Sequence, residues 1–256
     1  MPTDDEATDD EAAAAEDAGA EEQIQFRIAL KEDLPAVHDI FVSSSSSPGH
    51  PLEHRTPGQV RAWIGSLLDR PGELWLACRE QEVLGFLLMR GSWLNLLFVR
   101  PERQGSGVGA GLLDLVKALR PQGFGLRVYQ ANTRAREFYR RHGLIELEST
   151  DGSSHDDDEP DLQMAWLGED PLAYLRGRID EVDDELAVLL ARRVALTAAV
   201  QDHKEVGGQA GRDPRREAEI VERMAAHVPG LGRDRIAAVM HAVIAESLAA
   251  WEDRQP

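Results

Sequence analysis

The chain has 256 residues, enough for one or two domains, and its formal net charge is −18. Such an acidic chain repels phosphate backbones, so we expect no nucleic-acid partner. Its single cysteine, Cys78, excludes a disulfide framework and a cysteine-based metal site, and we expect it in the core. No stretch approaches the roughly 18 apolar residues of a membrane span, and the N-terminus lacks a basic signal region. We therefore expect a cytoplasmic protein with no metal and no membrane partner.

Residues 1–23 form an acidic tail. Its first 22 residues contain ten Asp or Glu and no Lys or Arg. A segment of like charges with few apolar groups cannot offset the entropy lost on ordering, so we predict that the tail is disordered. Keeping the protein soluble is the simpler role for it, and docking a basic partner is the alternative.

Residues 24–167 alternate between strand and helix patterns, which indicates a single mixed domain. We predict strands at 24–28, 73–79, 83–90, 93–99 and 125–130, a closing hairpin of 145–149 with 162–166, and helices at 31–41, 56–68, from the glycine-rich turn to about 119, and at 133–142. Thr56 is predicted to cap its helix, because Pro57 follows it. A serine-rich loop at 43–53 and an acidic loop at 151–161 complete this region.

A glycine-rich turn, Gln104-Gly105-Ser106-Gly107-Val108-Gly109, lies between an apolar strand and a helix. Glycines let the backbone approach a ligand closely, and a helix N-terminus favours phosphate. A plain tight turn is the simpler explanation. The turn is not the entry of a dinucleotide fold, and it lacks the Lys-Ser/Thr of a P-loop.

A second segment, from Asn132 through Ala135, Phe138 and Tyr139 to Gly143, follows the turn. Together the two segments resemble the GNAT family of acetyl-CoA-dependent N-acetyltransferases, over about residues 24–167. The resemblance implies a mostly antiparallel mixed sheet with helices, an α+β fold. It also implies that Tyr139 protonates the leaving thiolate, although a core aromatic with a satisfied hydroxyl is the simpler interpretation. The cofactor-binding residues that it implies are Leu97, Phe98, Val99, Gln104, Gly105, Ser106, Gly107, Val108, Gly109, Asn132 and Arg136.

The general base of this domain has no strong candidate. Many relatives carry a carboxylate on the strand before the glycine loop, where this chain has Asn95. A water held by Asn95, or the side chain of His50 or His54, is an alternative. The identity of the acceptor amine stays open. An alternative role for this domain is to sense acetyl-CoA without transferring its acetyl group.

From Asp170 the apolar residues recur at helical spacing, with no breaker before Gly207. This pattern predicts a helix of roughly 35 residues, which is far longer than average. Two further helices are predicted, from Pro214 to about His227 and from Arg233 to Asp253. A helix this long cannot bury its apolar stripe alone, so residues 168–256 are predicted to form an all-α domain that dimerises.

A set of charged residues lies along these helices: Arg176, Arg193, Lys204, Arg216 and Glu217. For the neighbouring Arg178, Arg192, Arg212 and Arg215 a solvated charged face is the simpler explanation, but not for these five. Their order, together with the segments Leu175 to Asp183, Leu189 to Arg193 and Arg212 to Glu217, closely resembles the all-helical chorismate mutase family. The resemblance spans nearly all of residues 170–253 and implies three helices in an intertwined dimer.

The resemblance to chorismate mutases implies a role for each residue. Arg193 and the partner's Arg176 would clamp the two carboxylates of chorismate, because one substrate cannot reach both positions on one straight helix. Lys204 would donate to the ether oxygen, and Arg216 would orient the nearby region. Substrate-binding roles fall to Asp213 and Glu217 at the ring hydroxyl, Ser247 at a carboxylate, and Trp251.

Trp251 departs from the family pattern, which has Gln or Glu four residues after the serine. This departure leaves open a slower mutase, or a substrate such as 4-amino-4-deoxychorismate or isochorismate. A C-terminal domain that serves only for dimerisation is a third hypothesis, which Lys204 and Glu217 argue against. The main prediction is a chorismate mutase of the shikimate-derived aromatic pathway, fused to an acetyltransferase of unknown acceptor. Its partners would be chorismate or a close relative, acetyl-CoA, an amine and a second copy of the chain.

Overall fold

The computed structural model of the protein describes residues 23–44, 56–150 and 159–255. The predicted acidic tail up to residue 22, positions 45–55 of the serine-rich segment, and positions 151–158 of the acidic loop lie outside the described residues. The chain divides into two compact units, Met1–Tyr174 and Leu175–Pro256. The boundary expected after residue 167 lies seven residues before this division.

The first unit contains seven strands and four helices in its described part. The strands are β1 (Gln25–Ile28), β2 (Glu73–Arg79), β3 (Glu82–Arg90), β4 (Trp93–Val99), β5 (Phe124–Tyr129), β6 (Ile145–Ser149) and β7 (Asp161–Trp166). The helices are α1 (Leu34–Ser44), α2 (Pro57–Gly65), α3 (Val108–Leu119) and α4 (Thr133–Arg141). The predicted helices are therefore present, but α1 begins after a 3-10 turn at Lys31–Asp33 and continues to Ser44.

Local capping explains where α2 and α4 begin. The Thr56 hydroxyl accepts from the Gln59 backbone, and the Gln59 side chain accepts in return from Thr56 N at 2.8 Å. This reciprocal pair is a capping box, and Pro57 takes the first helical position where no N–H is needed. Asn132 Oδ1 caps α4 by accepting from Ala135 N at 3.0 Å. Helix α4 ends at His142, where Gly143 adopts a φ of 83° that favours glycine.

The sheet runs in the order β1-β2-β3-β4-β5-β7-β6. Its neighbouring strands pair antiparallel except for β4 and β5, which are parallel. Helix α3 makes the crossover between these two strands, as a parallel pair requires. The α+β fold with a mostly antiparallel sheet, expected from the resemblance to acetyltransferases, is therefore confirmed.

Two apolar layers cover the sheet. On one face, β3, β4 and β5 pack against α3 and α4 through buried residues that include Leu112, Leu113, Val116, Phe124 and Tyr139. On the other face, α1 and α2 bury residues that include Ile40, Phe41, Ile64 and Phe86. Cys78 belongs to this second layer and is buried, as expected. Both faces are thus closed, which leaves the strand ends and loops to carry a site.

The second unit is helical. Helix α5 spans Pro171–Gln201, α6 spans Pro214–His227 and α7 spans Arg233–Glu252. Helix α5 has 31 residues, slightly fewer than predicted, because the chain turns at its end before Gly208, whose φ is 63°. Helix α6 begins as the sequence predicts, since the Asp213 carboxylate accepts from the backbone of Arg215 and Arg216 and Pro214 follows it.

Most of the apolar stripe of α5 is exposed. Ile179, Val182, Leu186 and Leu189 are each about half exposed or more, with values between 49% and 60%. The buried core of this unit, by contrast, is a small cluster between α6 and α7: Val221, Ile236, Met240, Ile244 and Leu248. Within the described ranges, no helix is long and apolar enough to cross a membrane.

Candidate active sites

The first candidate site lies where β4 and β5 separate. These strands pair only through Trp93 with Gly125 and Leu94 with Leu126. Beyond these positions the two strands diverge and leave the second half of β4 without a neighbour on that side, among the described residues. The separation opens a cleft in the sheet between the ends of β4 and β5.

The register of β3 and β4 shows which backbone groups face this cleft. Arg100 N donates to Leu84 O at 2.9 Å, so the hydrogen-bonded pairs alternate from there and include Phe86 with Phe98. The N–H and C=O groups of Leu97 and Val99 therefore point away from β3, toward the cleft. Phe98 was predicted to bind the cofactor, but its backbone pairs with β3. Its ring packs against Phe41 and Phe86, on the face of the sheet that α1 and α2 cover.

A β-bulge in β4 lies next to the cleft. Leu88 pairs with Leu96 and Met89 pairs with Leu94, so Asn95 has no partner on β3. The side chain of Asn95 is exposed. Bulges redirect side chains beside active sites, and this one turns the strand just before Leu97. The alternatives for a general base, His50 and His54, lie outside the described residues.

The glycine-rich loop leads into α3 at the end of β4. Gly105 and Gly107 have φ values of 81° and 89°, a region that side chains other than glycine rarely adopt. No side chain caps the N-terminus of α3, so its first N–H groups stay available to a ligand. The Gln104 amide donates to Val99 O at 3.3 Å and ties the loop to β4. An uncapped helix N-terminus with a glycine approach suits a pyrophosphate.

Tyr139 lies on α4 and is only 9% exposed. Its ring meets Phe138 edge-on, with centroids 5.2 Å apart, inside the layer that packs on β5. Burial raises the pKa of its hydroxyl well above the usual value near 10. The hydroxyl therefore stays protonated throughout the neutral range, which is the state that a proton donor needs.

Two other residues predicted to bind the cofactor have structural partners. Asn132 uses its side-chain oxygen to cap α4. The Arg136 guanidinium donates to Gln130 O at 3.1 Å and to the Glu146 carboxylate at 3.2 Å. Both residues lie at the start of α4, as predicted. Their side chains, however, bind other parts of the protein: Asn132 caps the helix and Arg136 contacts Gln130 and Glu146.

The second candidate site is a cavity of about 300 Å³ inside the helical unit. It lies between the C-terminal half of α5, the turn after it, the start of α6 and the middle of α7. Its lining residues are Arg193, Leu196, Thr197, Val200, Gln201, Lys204, Gly211, Arg212, Asp213, Arg216, Glu217, Ile220, Ile244 and Leu248. Of the eight chorismate-site residues expected from the sequence, Arg193, Lys204, Asp213, Arg216 and Glu217 therefore meet at one cavity.

Hydrogen bonds hold the cationic groups of the cavity in place. Arg193 donates to the Ser247 hydroxyl at 2.9 Å, and Ser247 in turn donates to Val243 O. Burial lowers the pKa of Arg193, but a guanidinium remains charged in proteins. Lys204 Nζ donates to Gly211 O at 2.8 Å. Ser247, predicted to cap a carboxylate, thus positions Arg193 and is itself 1% exposed.

Glu217 forms the acidic end of the cavity. The Arg212 guanidinium donates to both of its oxygens, at 2.8 and 2.6 Å. This pair lowers the pKa of Glu217 below its usual value, so the carboxylate is ionised at neutral pH. The sequence prediction treated Arg212 as a solvated charge, whereas the structure makes it the partner of Glu217.

Three predicted residues do not line this cavity: Trp251, Arg176, and Ser247, which lies behind Arg193. Trp251 donates its indole N–H to Asp202 at 2.7 Å, and its ring covers Gly207, where a Cβ atom would come within 2.5 Å of it. Its position does not support the predicted contact with substrate. Arg176 is exposed on α5, 17 residues before Arg193, which corresponds to roughly 25 Å along a helix.

Gln201 lines the cavity although the sequence did not single it out. A helical row with a spacing of four residues, Arg193, Thr197 and Gln201, could have identified it. The side chain is 6% exposed, and its oxygen accepts from Gly208 N at 3.0 Å.

Comparison with known proteins identifies both regions. Residues 34–144 match the acetyltransferase (GNAT) family, and residues 175–251 match chorismate mutase type II. Peptidyl-lysine N-acetyltransferase YjaB of Escherichia coli is 31% identical over 121 residues, which are 45% of this chain and 77% of that protein. Its counterpart in Salmonella typhimurium is 36% identical over 72 residues, 28% of this chain and about half (49%) of that protein.

Solved structures also match the first unit. The solution structure of apo YjaB from Escherichia coli has a TM-score of 0.49 and 23% identity, and the match covers 57% of this chain and 99% of that one.

Proposed function

Because this chain belongs to the GNAT acetyltransferase family over residues 34–144 and to the chorismate mutase type II family over residues 175–251, we propose that it is an enzyme with two activities. The helical unit rearranges chorismate to prephenate. The first unit transfers an acetyl group from acetyl-CoA to an amine. The mutase activity rests on one observation, the cavity at which Arg193, Lys204 and Glu217 converge.

The charges of the cavity fit a dianionic substrate. Four cations line it, Arg193, Lys204, Arg212 and Arg216, against the two carboxylates of Asp213 and Glu217. Asp213 caps α6, Glu217 neutralises Arg212, and Arg216 pairs with Glu219 outside the lining. Arg193 and Lys204 remain for the substrate, beside the apolar wall of Val200, Ile220 and Ile244. Chorismate combines two carboxylates with an apolar ring and therefore matches this lining.

The rearrangement requires no group from the protein to bond with the substrate. One C–O bond breaks as one C–C bond forms, and negative charge grows on the ether oxygen. Arg193 holds a carboxylate in the reactive geometry, and Lys204 stabilises the growing charge with a preoriented ammonium group. Glu217, which is ionised, accepts from the ring hydroxyl, and Arg216 orients the start of α6. Trp251 lies outside the cavity, so its departure from the family pattern gives no reason to choose another substrate.

The mutase works as a dimer in this proposal. The exposed apolar row of α5 needs a partner, and Leu196 and Val200 line the cavity although they are 60% and 55% exposed. A second α5 packed on this row would cover the cavity and bring Arg176 of the partner to it. Such a dimer would supply the second carboxylate clamp that a single chain lacks.

Acetyl-CoA fits the cleft of the first unit. Its pyrophosphate would meet the N–H groups at the start of α3. Its pantetheine arm would pair with Leu97 and with the N–H of Val99 in place of a strand, since Val99 O already accepts from Ser44 and Gln104. The thioester supplies the acetyl group. As the amine nitrogen bonds to the acetyl carbon and the C–S bond breaks, the Tyr139 hydroxyl donates its proton to the departing thiolate, and the proton that the amine loses replaces it by way of solvent. The relatives named peptidyl-lysine N-acetyltransferases suggest lysine side chains of peptides as acceptors.

The loss of chorismate absorbance tests the mutase. Wild type should consume chorismate, and Lys204→Ala should lower kcat at least about 100-fold, since it removes the donor to the charged oxygen. Lys31→Ala, an exposed lysine of the other unit, is the matched control and should retain full activity. Turnover by Lys204→Ala at the wild-type rate, or none by wild type, contradicts the proposal.

Release of the CoA thiol with a panel of lysine peptides tests the transferase. Tyr139→Phe keeps the buried ring and removes the hydroxyl, so kcat should fall about 10- to 100-fold with CoA affinity unchanged. Tyr174→Phe, whose ring lies against Gly123, is the control. Acetyl-CoA binding without thiol release from any peptide would contradict transfer to peptidyl lysine.

A further inference from the structure

Gln201 occupies the mutase cavity in a way that points to a role in the reaction, and this role rests on the proposed mutase function. It is the last residue of α5 and lines the cavity. At 6% exposure it is more than nine-tenths buried. A buried polar side chain carries a cost unless all of its donors and acceptors find partners.

The hydrogen bond to Gly208 fixes the orientation of the Gln201 amide. Gly208 N is a donor, and only the side-chain oxygen of Gln201 can accept from it, at 3.0 Å. The NH₂ group therefore occupies the other branch of the amide. Neither of its two N–H groups has a hydrogen-bond partner among the described residues, while the side chain borders the cavity.

Helical spacing places this donor near Lys204 and far from the carboxylate clamp. Arg193, Thr197 and Gln201 form one row along α5 at intervals of four residues. Leu196 and Val200 form the next row, and Lys204 follows in the turn after the helix. Lys204 N also donates to Gln201 O at 3.1 Å, so the two residues share one turn at the end of the helix. Arg193 lies eight residues earlier, at roughly 12 Å along the axis.

We propose that the Gln201 amide donates a hydrogen bond to the same substrate oxygen as Lys204, the ether oxygen on which negative charge grows. Gly208 holds the amide in position before substrate arrives. The bond strengthens as the C–O bond breaks, so Gln201 acts on kcat more than on KM. It is a neutral donor that shares the end of the cavity with the charged donor Lys204.

Gln201→Glu is the variant that tests this role without removing the structural contact. A carboxylate still accepts from Gly208 N, but it has no proton to donate when ionised. At pH 8 we expect kcat to fall about 10- to 100-fold with little change in KM. As the pH falls, the carboxyl gains a proton and can donate, so the activity of this variant should rise toward acid relative to wild type.

Matched measurements separate this role from a structural one. Gln255→Glu makes the same change at an exposed position of the same unit, outside the cavity lining, and should leave kcat and its pH dependence unchanged. Thermal unfolding of each variant checks the fold. A purely structural Gln201 would give Gln201→Glu the wild-type pH profile, and that result overturns the proposal.

Wild type and Lys204→Ala are assayed in parallel. An active wild type with an unaltered Gln201→Glu profile removes the role of Gln201 alone. A wild type that consumes no chorismate removes the proposed mutase function and this role with it.

Discussion

Single residues in the first unit hold the anion site in a conformation that few side chains tolerate. Gly105 and Gly107 both have positive φ, and nothing in the described structure lies within 4 Å of a Cβ built on either one. Glycine is therefore required at these two positions by the backbone conformation and not by a lack of space for a side chain. They lead into the uncapped N-terminus of α3, whose first N–H groups are where a pyrophosphate would bind in the proposed transferase.

Gly107→Ala should weaken CoA binding about tenfold or more, because alanine disfavours a φ of 89° and would move the N-terminus of α3. Titration calorimetry with CoA measures the effect. Gly58→Ala is the control, since a Cβ at Gly58 also meets nothing within 4 Å and its φ is not positive. Equal affinity of Gly107→Ala and wild type would remove the loop from the cofactor site.

Helix α5 is the element on which the second unit depends. One of its rows contains Ile179, Val182, Leu186 and Leu189, spaced by three and four residues, as in helices that pair along an apolar seam. Four residues beyond Leu189 the row reaches Arg193, which lines the cavity. The same face that lacks a partner thus leads directly into the candidate site.

Val182→Asp should convert the protein to a monomer and abolish chorismate turnover, because it places a charge within the apolar row. Light scattering after gel filtration measures the mass. Val188→Asp changes the same residue type on the same helix but outside the row, although Val188 is also exposed. A dimer that survives Val182→Asp, or is lost equally in both variants, would exclude this row as the interface.

At the scale of the whole molecule, the two units have separate cores of unequal size. The first buries two large clusters on both faces of a sheet, whereas the second buries five residues between α6 and α7. In the proposed dimer, association with a second copy would stabilise a unit with so small a core. The site in the helical unit should therefore be shared between copies, with Arg176 from one chain and Lys204 from the other.

Co-expression of Arg176→Ala with Lys204→Ala tests this sharing. Each variant alone should be inactive as a mutase, but mixed dimers contain one site without either change, so about a quarter of wild-type activity should return. Chorismate turnover of the co-purified mixture measures it. If both residues belonged to one chain, the mixture would stay as inactive as its components.

The sequence predicted most of the features that depend on local physics. The start of α2 at Thr56 and Pro57, the glycine turn before α3 and the cap of α6 at Asp213 all depend on residues adjacent in the chain. The convergence of Arg193, Lys204 and Glu217 was expected from a family resemblance, and the cavity brings these residues together.

Contacts between distant segments could not be predicted in this way. Ser247 and Trp251 are four residues apart and were assigned to one substrate face, yet Ser247 contacts Arg193 while Trp251 pairs with Asp202. The absence of a side chain at Gly207 makes room for that ring. The orientation of Phe98 and the bulge at Asn95 likewise depend on the register between β4 and β3. No local sequence pattern determines that register.

The exposed row of α5 also affects how the protein is made. Synthesis proceeds from the N-terminus and domains fold as units, so the first unit can close its sheet before the row leaves the ribosome. If the chain dimerises as proposed, each new chain then exposes this apolar row until it binds a second copy. Nascent chains at high concentration are then most at risk of aggregation. The net charge of −18 opposes aggregation because the chains repel one another.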